Sequence, residues 1–301
     1  MPKHLHGIFA LLVVTLVWGT TFPAMKDLTG YFPPVWIVFI RFVMASLVLS
    51  YFFLRAARQD IQYGMVMAVL LFACYMFQME GLKLTTSNRN AFITGLNVLI
   101  VPLIGILLGQ KLELRIMIAI ALAVTGLFAL CWDGGAWAWG DTLALIGAFC
   151  FGAYVKLMEV FTRKSSNLMS FTAAQITGVA LCAGVYLLLT EVPVSATRPE
   201  MHAYLLHIWQ GVVANWINFA YLGLICTAAI ISLQTWGQHR ASANEAAVIY
   251  AFEPACAAIA AYFWLNEKMG PTAIVGALLM IVGMIVSQWN TNQEKKLLVP
   301  D

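Results

Sequence analysis

Apolar runs, broken at regular intervals by proline, glycine or charge, fill almost the whole of this 301-residue chain. Each run is about 20 residues long, enough to cross a hydrocarbon core of about 30 Å as a helix. In hydrocarbon every backbone N–H and C=O must be paired, and a helix does this within one segment. The runs predict ten spans: Leu5–Met25, Pro34–Leu54, Gly64–Lys83, Asn88–Gly109, Leu114–Trp132, Asp141–Phe161, Asn167–Thr190, Asn215–Gln238, Ala243–Leu265 and Pro271–Trp289. The expected fold class is therefore an all-α integral membrane protein of ten transmembrane helices. Only 10% of the residues are charged, against about 25% in soluble domains. A water-soluble fold is excluded, and little chain remains for a soluble domain.

Charge placement predicts the orientation. With the N-terminus in the cytoplasm, inner segments hold Lys3, Arg55, Arg58, Lys111, Arg115, Arg163, Lys164, Arg240, Lys295 and Lys296, and outer segments hold Lys26, Lys83, Arg89, Arg198 and Lys268. The inner excess predicts a multi-pass protein of a bacterial inner membrane with both termini cytoplasmic. Met1 to Phe22 is longer than a signal-peptide core and is expected to remain as the first span. No Lys/Arg run is long enough to neutralise several phosphates, so nucleic acid is not an expected partner. Cys74, Cys131, Cys150, Cys182, Cys226 and Cys256 lie singly, without C-x-x-C spacing or a nearby histidine, and read as packing residues rather than disulfides or metal ligands.

Two internal matches point to a repeat. Leu12–Gly19 (LVVTLVWG) lies 133 positions before Leu145–Gly152 (LIGAFCFG). Ala119 and Gly126 fall on Gly276 and Gly283 at an offset of 157, with Gln110-Lys111 on Glu267-Lys268. The offsets differ by 24, the length of the polar segment Glu191–Ala214, so one outer-loop insertion reconciles them. Five spans per half is an odd number, and the second half must then enter from the opposite side. The expected units are 1–133 and 141–290, two inverted five-helix repeats with substrate held near midplane between them, and a short cytoplasmic tail, 291–301.

Trp18-Gly19-Thr20-Thr21-Phe22, Arg41-Phe42 with Ala45, and the block from Ser242-Ala243 through Glu253-Pro254 to Asn266-Glu267-Lys268 and Gly276 together resemble the drug/metabolite transporter superfamily, and within it the EamA-type ten-helix carriers. The resemblance covers nearly the whole chain. The first half echoes the last block as Ala91-Phe92-Ile93-Thr94-Gly95 and Gly109-Gln110-Lys111-Leu112, departing from the family pattern where Gln110 replaces an acidic residue and Asn97 stands opposite Pro254. The resemblance implies a carrier, similar in architecture to YddG-like exporters of amino acids and other metabolites.

Ionisable groups inside spans are costly, at least about 2.5 kcal/mol each, and point to function. Glu253 falls near midplane beside Pro254, which cannot donate a backbone bond and frees the Tyr250 carbonyl for a substrate ammonium or a proton. The alternative for Glu253 is to fix a kink. Arg41 is expected either to attract a substrate carboxylate or to pair with Glu80, and Lys156 to snorkel to the cytoplasmic interface. Asn90, Thr94 and Asn97 recur at helical spacing and form one polar stripe, facing either a pathway or a neighbouring helix. Trp18, Tyr75, Gln78, Tyr154, Asn218 and Tyr250 sit deep in their spans, as cavity or core residues. Trp36, Trp132, Trp137, Trp139 and Trp289 lie near helix ends as interfacial candidates. Pro23, Pro102 and Pro254 are candidate hinges. Gly105 and Gly109 read as sites of close helix packing.

All five histidines and all five aspartates lie at or beyond helix ends, which leaves no catalytic set or metal centre and no expected cofactor. The function that follows is a secondary transporter, by resemblance an exporter of amino acids or related amphiphilic compounds. Uptake of a metabolite or quaternary amine is the alternative, ahead of a channel or an intramembrane enzyme. The expected partners are a small-molecule substrate and the lipid bilayer, with the carrier working as a monomer. Reporter fusions after Asn290 are expected to read as cytoplasmic; an external reading would overturn the inverted repeat.

Overall fold

The computed structural model describes residues 3–131, 136–192, 198–265 and 270–288, a helical bundle without strands among the described residues. In chain order the helices are α1 (Lys3–Gly19), α2 (Thr21–Thr29), α3 (Pro34–Leu54), α4 (Arg58–Leu84), α5 (Ser87–Gly95), α6 (Asn97–Leu107), α7 (Leu114–Cys131) and α8 (Trp139–Lys164). They continue as α9 (Leu168–Thr190), α10 (Arg198–Ala214), α11 (Trp216–Ala220), a π-helical segment (Tyr221–Ala229), α12 (Ile230–Gln238), α13 (Ala243–Tyr250), α14 (Glu253–Leu265) and α15 (Pro271–Gln288).

Among the described residues, seven helical stretches are long and apolar enough to cross a membrane: His4–Thr29, Pro34–Leu54, Arg58–Leu84, Arg89–Leu107, Trp139–Lys164, Leu168–Thr190 and Trp216–Gln238. The expected fifth and tenth spans are α7 and α15, apolar helices of 18 residues each. The expected ninth is split into α13 and α14. Trp132, Trp289, Asn290, the Asn266-Glu267-Lys268 block and the tail lie outside the described residues.

Local chemistry sets the helix ends. Pro34 opens α3, where its missing N–H costs nothing. The Asn167 side chain caps α9 by accepting from Met169 N at 2.9 Å and Ser170 N at 3.1 Å. Ser242 and Glu245 form a reciprocal capping box at the start of α13. Gly109, at φ 80°, ends α6 in a left-handed turn, with Gly109 N donating to Ile106 O at 2.8 Å and Gln110 N to Gly105 O at 2.9 Å. Gly109 is therefore a helix terminator and not a packing contact.

Other expectations are also corrected. Glu191–Ala214 is not only a polar loop, since Arg198–Ala214 folds as α10, whose Ile208 is buried and whose Tyr204 hydroxyl accepts the Trp36 indole N–H at 2.8 Å. Trp36 is consequently buried beneath α10 instead of standing at an interface, whereas Trp137 and Trp139 are exposed. Lys156 does not snorkel: it is 4% exposed and donates to Gln110 Oε1 at 2.7 Å and Glu159 Oε2 at 2.8 Å.

The bundle has an apolar core and an apolar exterior, unlike a soluble protein, and buries a set of polar groups within. Leu47, Leu54, Leu107, Leu189 and Phe263 are exposed on its flanks, while Arg41, Asp60, Asn90, Asp141, Gln175, Gln234 and Gln238 are buried. Such a surface suits lipid, and each buried polar group must find a partner in the protein. Asp60 accepts from Ser165, Ser166 and Asn167, tying the α8–α9 connection to the start of α4.

The contacts between helices occur in matched pairs. Helix α3 packs on α9, α7 on α15, α5 on α14 and α6 on α13. Helix α4 packs on α8 as α1 packs on α12, α4 on α9 as α3 on the π-helical segment, and α6 on α8 as α1 on α14. At the α7–α15 crossing an added Cβ on Gly126 would come within 2.6 Å of Gly276 O and Met280 Cγ. Gly126→Val is expected to cost about 1–3 kcal/mol by overpacking. Gly147→Ala, whose Cβ would meet nothing closer than 3.4 Å, is expected to cost little, and thermal unfolding of the two variants in detergent checks the contrast.

Candidate functional site

Two helices are interrupted near mid-bundle. Helix α5 ends at Gly95 and α6 begins at Asn97; α13 ends at Tyr250 and α14 begins at Glu253. Pro254, the second residue of α14, has no N–H to offer the Tyr250 carbonyl, which accounts for the second break. The first break precedes Pro102 by several residues, and Pro102 lies inside the continuous helix α6. A third break parts α1 from α2 at Thr20, with Pro23 in the first turn of α2. There the Thr20 and Thr21 hydroxyls donate back to the Val17 and Trp18 carbonyls at 2.6 and 2.7 Å, and Gly19 lies so close to α14 that an added Cβ would fall 2.3 Å from Cys256 Cβ.

The breaks open onto a small cavity of about 30 Å³. Trp18, Tyr75, Gln78, Thr94, Asn97, Tyr250 and Glu253, all singled out from the sequence, line it. Thr21, Phe151, Val155 and Gln234 complete the wall. Of these four, Gln234 carried a readable signal, an amide deep in a span with Gln238 four residues on; Phe151 and Val155 carried none, being apolar residues in apolar helices. The wall draws on α1/α2, α4 and α5/α6, and on α8, α12 and α13/α14.

Glu253 dominates the chemistry. It is the first residue of α14, where the positive end of the helix dipole favours a carboxylate. It faces the cavity, and no hydrogen bond or ion pair to it occurs among the described residues. Asn97 Oδ1, Thr94 Oγ1 and the Tyr250 hydroxyl are likewise buried without a hydrogen-bond partner. Trp18 and Tyr250 stand with ring centroids 5.6 Å apart, and the Trp18 indole N–H donates to Cys226 O at 3.4 Å. A carboxylate among unfilled polar atoms and aromatic faces can receive a proton or an organic cation.

Four sequence candidates lie off this wall. Asn90 is fully buried and donates to the Gln78 carbonyl at 3.2 Å, so the polar stripe divides into one structural residue and two cavity residues. Tyr154 is buried behind the wall, with its hydroxyl 3.2 Å from Gln175 Oε1. Asn218 belongs to α11, away from the cavity. Arg41 does not pair with Glu80: its Nε donates to Thr227 Oγ1 at 2.8 Å, and its guanidinium covers the Tyr75 ring at 4.9 Å. Thr227 sits in the π-helical segment and donates in turn to Leu222 O, five residues back, at 2.7 Å. Arg41 is thus a buried cation 1% exposed behind an aromatic wall residue, held by a hydroxyl and a ring face.

Ion pairs close both ends of the bundle. Arg89, in the first turn of α5, grips Asp141 of α8 through Nε and Nη2, both at 2.8 Å. At the opposite end Glu245, in the first turn of α13, meets His4 of α1 at 3.2 Å and Arg115 of α7 at 3.7 Å.

An apolar exterior and long apolar helices, three of them broken around an internal cavity, mark a multi-pass membrane protein. The EamA-like transporter family model matches residues 5–132 and again 138–288, and the chain belongs to that family. It is similar to an "uncharacterized transporter" of Archaeoglobus fulgidus, 26% identical over 286 residues, covering 94% of this chain and 86% of that protein. It is also similar to the uncharacterized transporter YyaM of Bacillus subtilis, 22% identical over 317 residues, covering 97% and 99%. A solved crystal structure, 18% identical, covers 99% of both chains at a TM-score of 0.71 and shares the fold.

In a background without native cysteines, Asn97→Cys and Tyr250→Cys are expected to react with a small water-soluble thiol reagent in at least one transport condition, and Asn90→Cys to stay unreactive. Equal protection of all three would remove the cavity from the transport pathway.

Proposed function

We propose that the protein is a secondary transporter that carries small amino-group-bearing metabolites, amino acids or related amphiphilic compounds, outward across a bacterial inner membrane by alternating access. In this reading the chain makes ten spans in two inverted repeats, 1–133 and 141–290, with the tail 291–301 and both termini in the cytoplasm. The observation that carries it is the Glu253 carboxylate, unpaired and facing a cavity walled by helices of both halves.

Three further observations support the reading. Exchanging the first five spans for the last five turns each major helix contact into another observed one, as a two-fold relation between inverted halves requires. Broken helices at α5/α6 and α13/α14 then become equivalent, and each lays two helix termini on the cavity. The Arg89–Asp141 and Glu245–His4 pairs hold equivalent helices, α5 with α8 and α13 with α1, at opposite ends. Both pairs are made and the cavity is contracted, so the conformation is closed at both ends. Breaking one pair at a time, with rocking about the proline-marked breaks, opens the site to one side and then the other.

A second reading, carriage of a quaternary amine, is favoured by the Trp18 and Tyr250 rings beside Glu253. Counterflow in proteoliposomes with labelled amino acids, amines and nucleobases tests both. Saturable exchange of one class is expected, and Glu253→Gln is expected to lower it at least about tenfold, the weight of a charged hydrogen bond. Absence of exchange across the panel by folded protein would overturn amino-acid export, and full activity of Glu253→Gln would reduce Glu253 to a structural role.

A further inference from the structure

Two of the broken helices touch at their breaks. An added Cβ on Gly95, at the end of α5, would stand 3.2 Å from Pro254 Cγ in the first turn of α14. Thr94 and Asn97 stand on either side of Gly95, Glu253 precedes Pro254, and all three side chains line the cavity. Thr94 Oγ1 and Asn97 Oδ1 lack hydrogen-bond partners, on side chains only 4% and 6% exposed. For a threonine this is unusual. Thr15, Thr125, Thr172 and Thr235 each donate to the carbonyl four residues back, at 2.8–2.9 Å, as threonines inside helices commonly do. Thr94 makes no such bond. No cation pairs with Glu253 among the described residues, since Arg41 is held by Thr227 behind the Tyr75 ring. A carboxylate enclosed in this way must be neutralised by a proton or by a cation. The cavity, at about 30 Å³, is too small for an amino acid. It has room for roughly two water-sized occupants, at about 15 Å³ each.

We infer that the contracted cavity is a sodium site, in which one Na⁺ is held by the Glu253 carboxylate, Asn97 Oδ1 and Thr94 Oγ1, with water completing its shell. Hard cations take oxygen ligands, and these three donors are all oxygens. Breaks in membrane helices are where transporters bind such ions. A proton on Glu253 would bring a single O–H to the two unfilled oxygens, whereas a metal ion serves all three donors at once. One carboxylate balances one charge; a divalent ion would leave a net positive charge in a bundle that already buries Arg41. The small volume favours Na⁺ over the larger K⁺. In the carrier reading above, on which this last step rests, the substrate ammonium uses the same carboxylate. Ion and substrate then occupy Glu253 in turn, and a sodium gradient directed inward drives export by exchange.

Equilibrium dialysis of the detergent-purified full chain against radioactive sodium, in a potassium buffer of constant ionic strength, tests this. Wild type is expected to bind one ion per chain saturably. Glu253→Gln is expected to abolish binding, and Asn97→Ala and Thr94→Val to weaken it at least about tenfold, the weight of one polar contact to a charge. Thr94→Ser keeps the hydroxyl and is expected to bind as wild type does, and size-exclusion elution with helical circular dichroism certifies the folding of each variant. Absence of saturable sodium binding by folded wild type would overturn the site, return Glu253 to a proton, and leave the carrier reading to stand or fall by counterflow. Full sodium affinity in folded Asn97→Ala and Thr94→Val would place the ion elsewhere and overturn the site equally. Sodium retained in the presence of every compound that the counterflow panel shows to be carried would overturn exchange at Glu253 and leave the sodium site standing.

Discussion

A helix can be interrupted inside a bilayer only where something other than lipid meets the backbone groups set free. That constraint organises this protein. The breaks at Gly95–Asn97 and Tyr250–Glu253 lie inside the bundle and face the cavity, as does the break between α1 and α2 at Thr20. The break places Glu253 at a helix N-terminus, where the dipole favours its charge, and Pro254 holds the break open. A close glycine approach, Gly19 on Cys256, draws α1 and α14 together beside the site.

Most buried polar groups elsewhere are partnered, because hydrocarbon leaves no alternative, though Asn90 Oδ1 and Asn244 Oδ1 are not. Asp60 and Asp141 are fully buried at helix starts and satisfied by loop N–H groups, hydroxyls or an arginine. The cavity gathers two of the exceptions, the unfilled oxygens of Asn97 and Thr94, beside the Glu253 carboxylate. Unsatisfied groups of this kind cost about 1–3 kcal/mol each. Their occurrence beside aromatic faces is what singles out this cavity as the candidate site.

The span pattern was legible because hydrocarbon imposes length and apolarity on every crossing segment, and Pro34–Leu54 was read to the residue. Seven cavity-lining residues were legible for a related reason, since a polar or aromatic side chain deep in an apolar run needs an explanation. The same rule over-predicted: Asn90 and Tyr154 satisfy it by bonding to the Gln78 carbonyl and to Gln175. Arg41 was placed correctly as an embedded cation but given the wrong partner, because a hydroxyl on a π-helical segment far along the chain cannot be anticipated from spacing. Helix α10 was hidden by the polar, proline-containing sequence around it, and shows itself through Ile208 and Tyr204 packing on α3.

The sequence by itself determined that the chain lives in a membrane, roughly where it crosses, and that Glu253 beside Pro254 is an embedded carboxylate at a weak point in a helix. These follow from one-dimensional quantities: run length, charge density and the chemistry of adjacent residues. Tertiary structure decided which polar residues share a cavity and that, among the described residues, no cation pairs with Glu253. Those depend on hydrogen-bond partners 52 to 208 positions apart, as in Arg89 with Asp141 or Trp18 with Cys226. Only folding the two halves against each other brings such partners within reach.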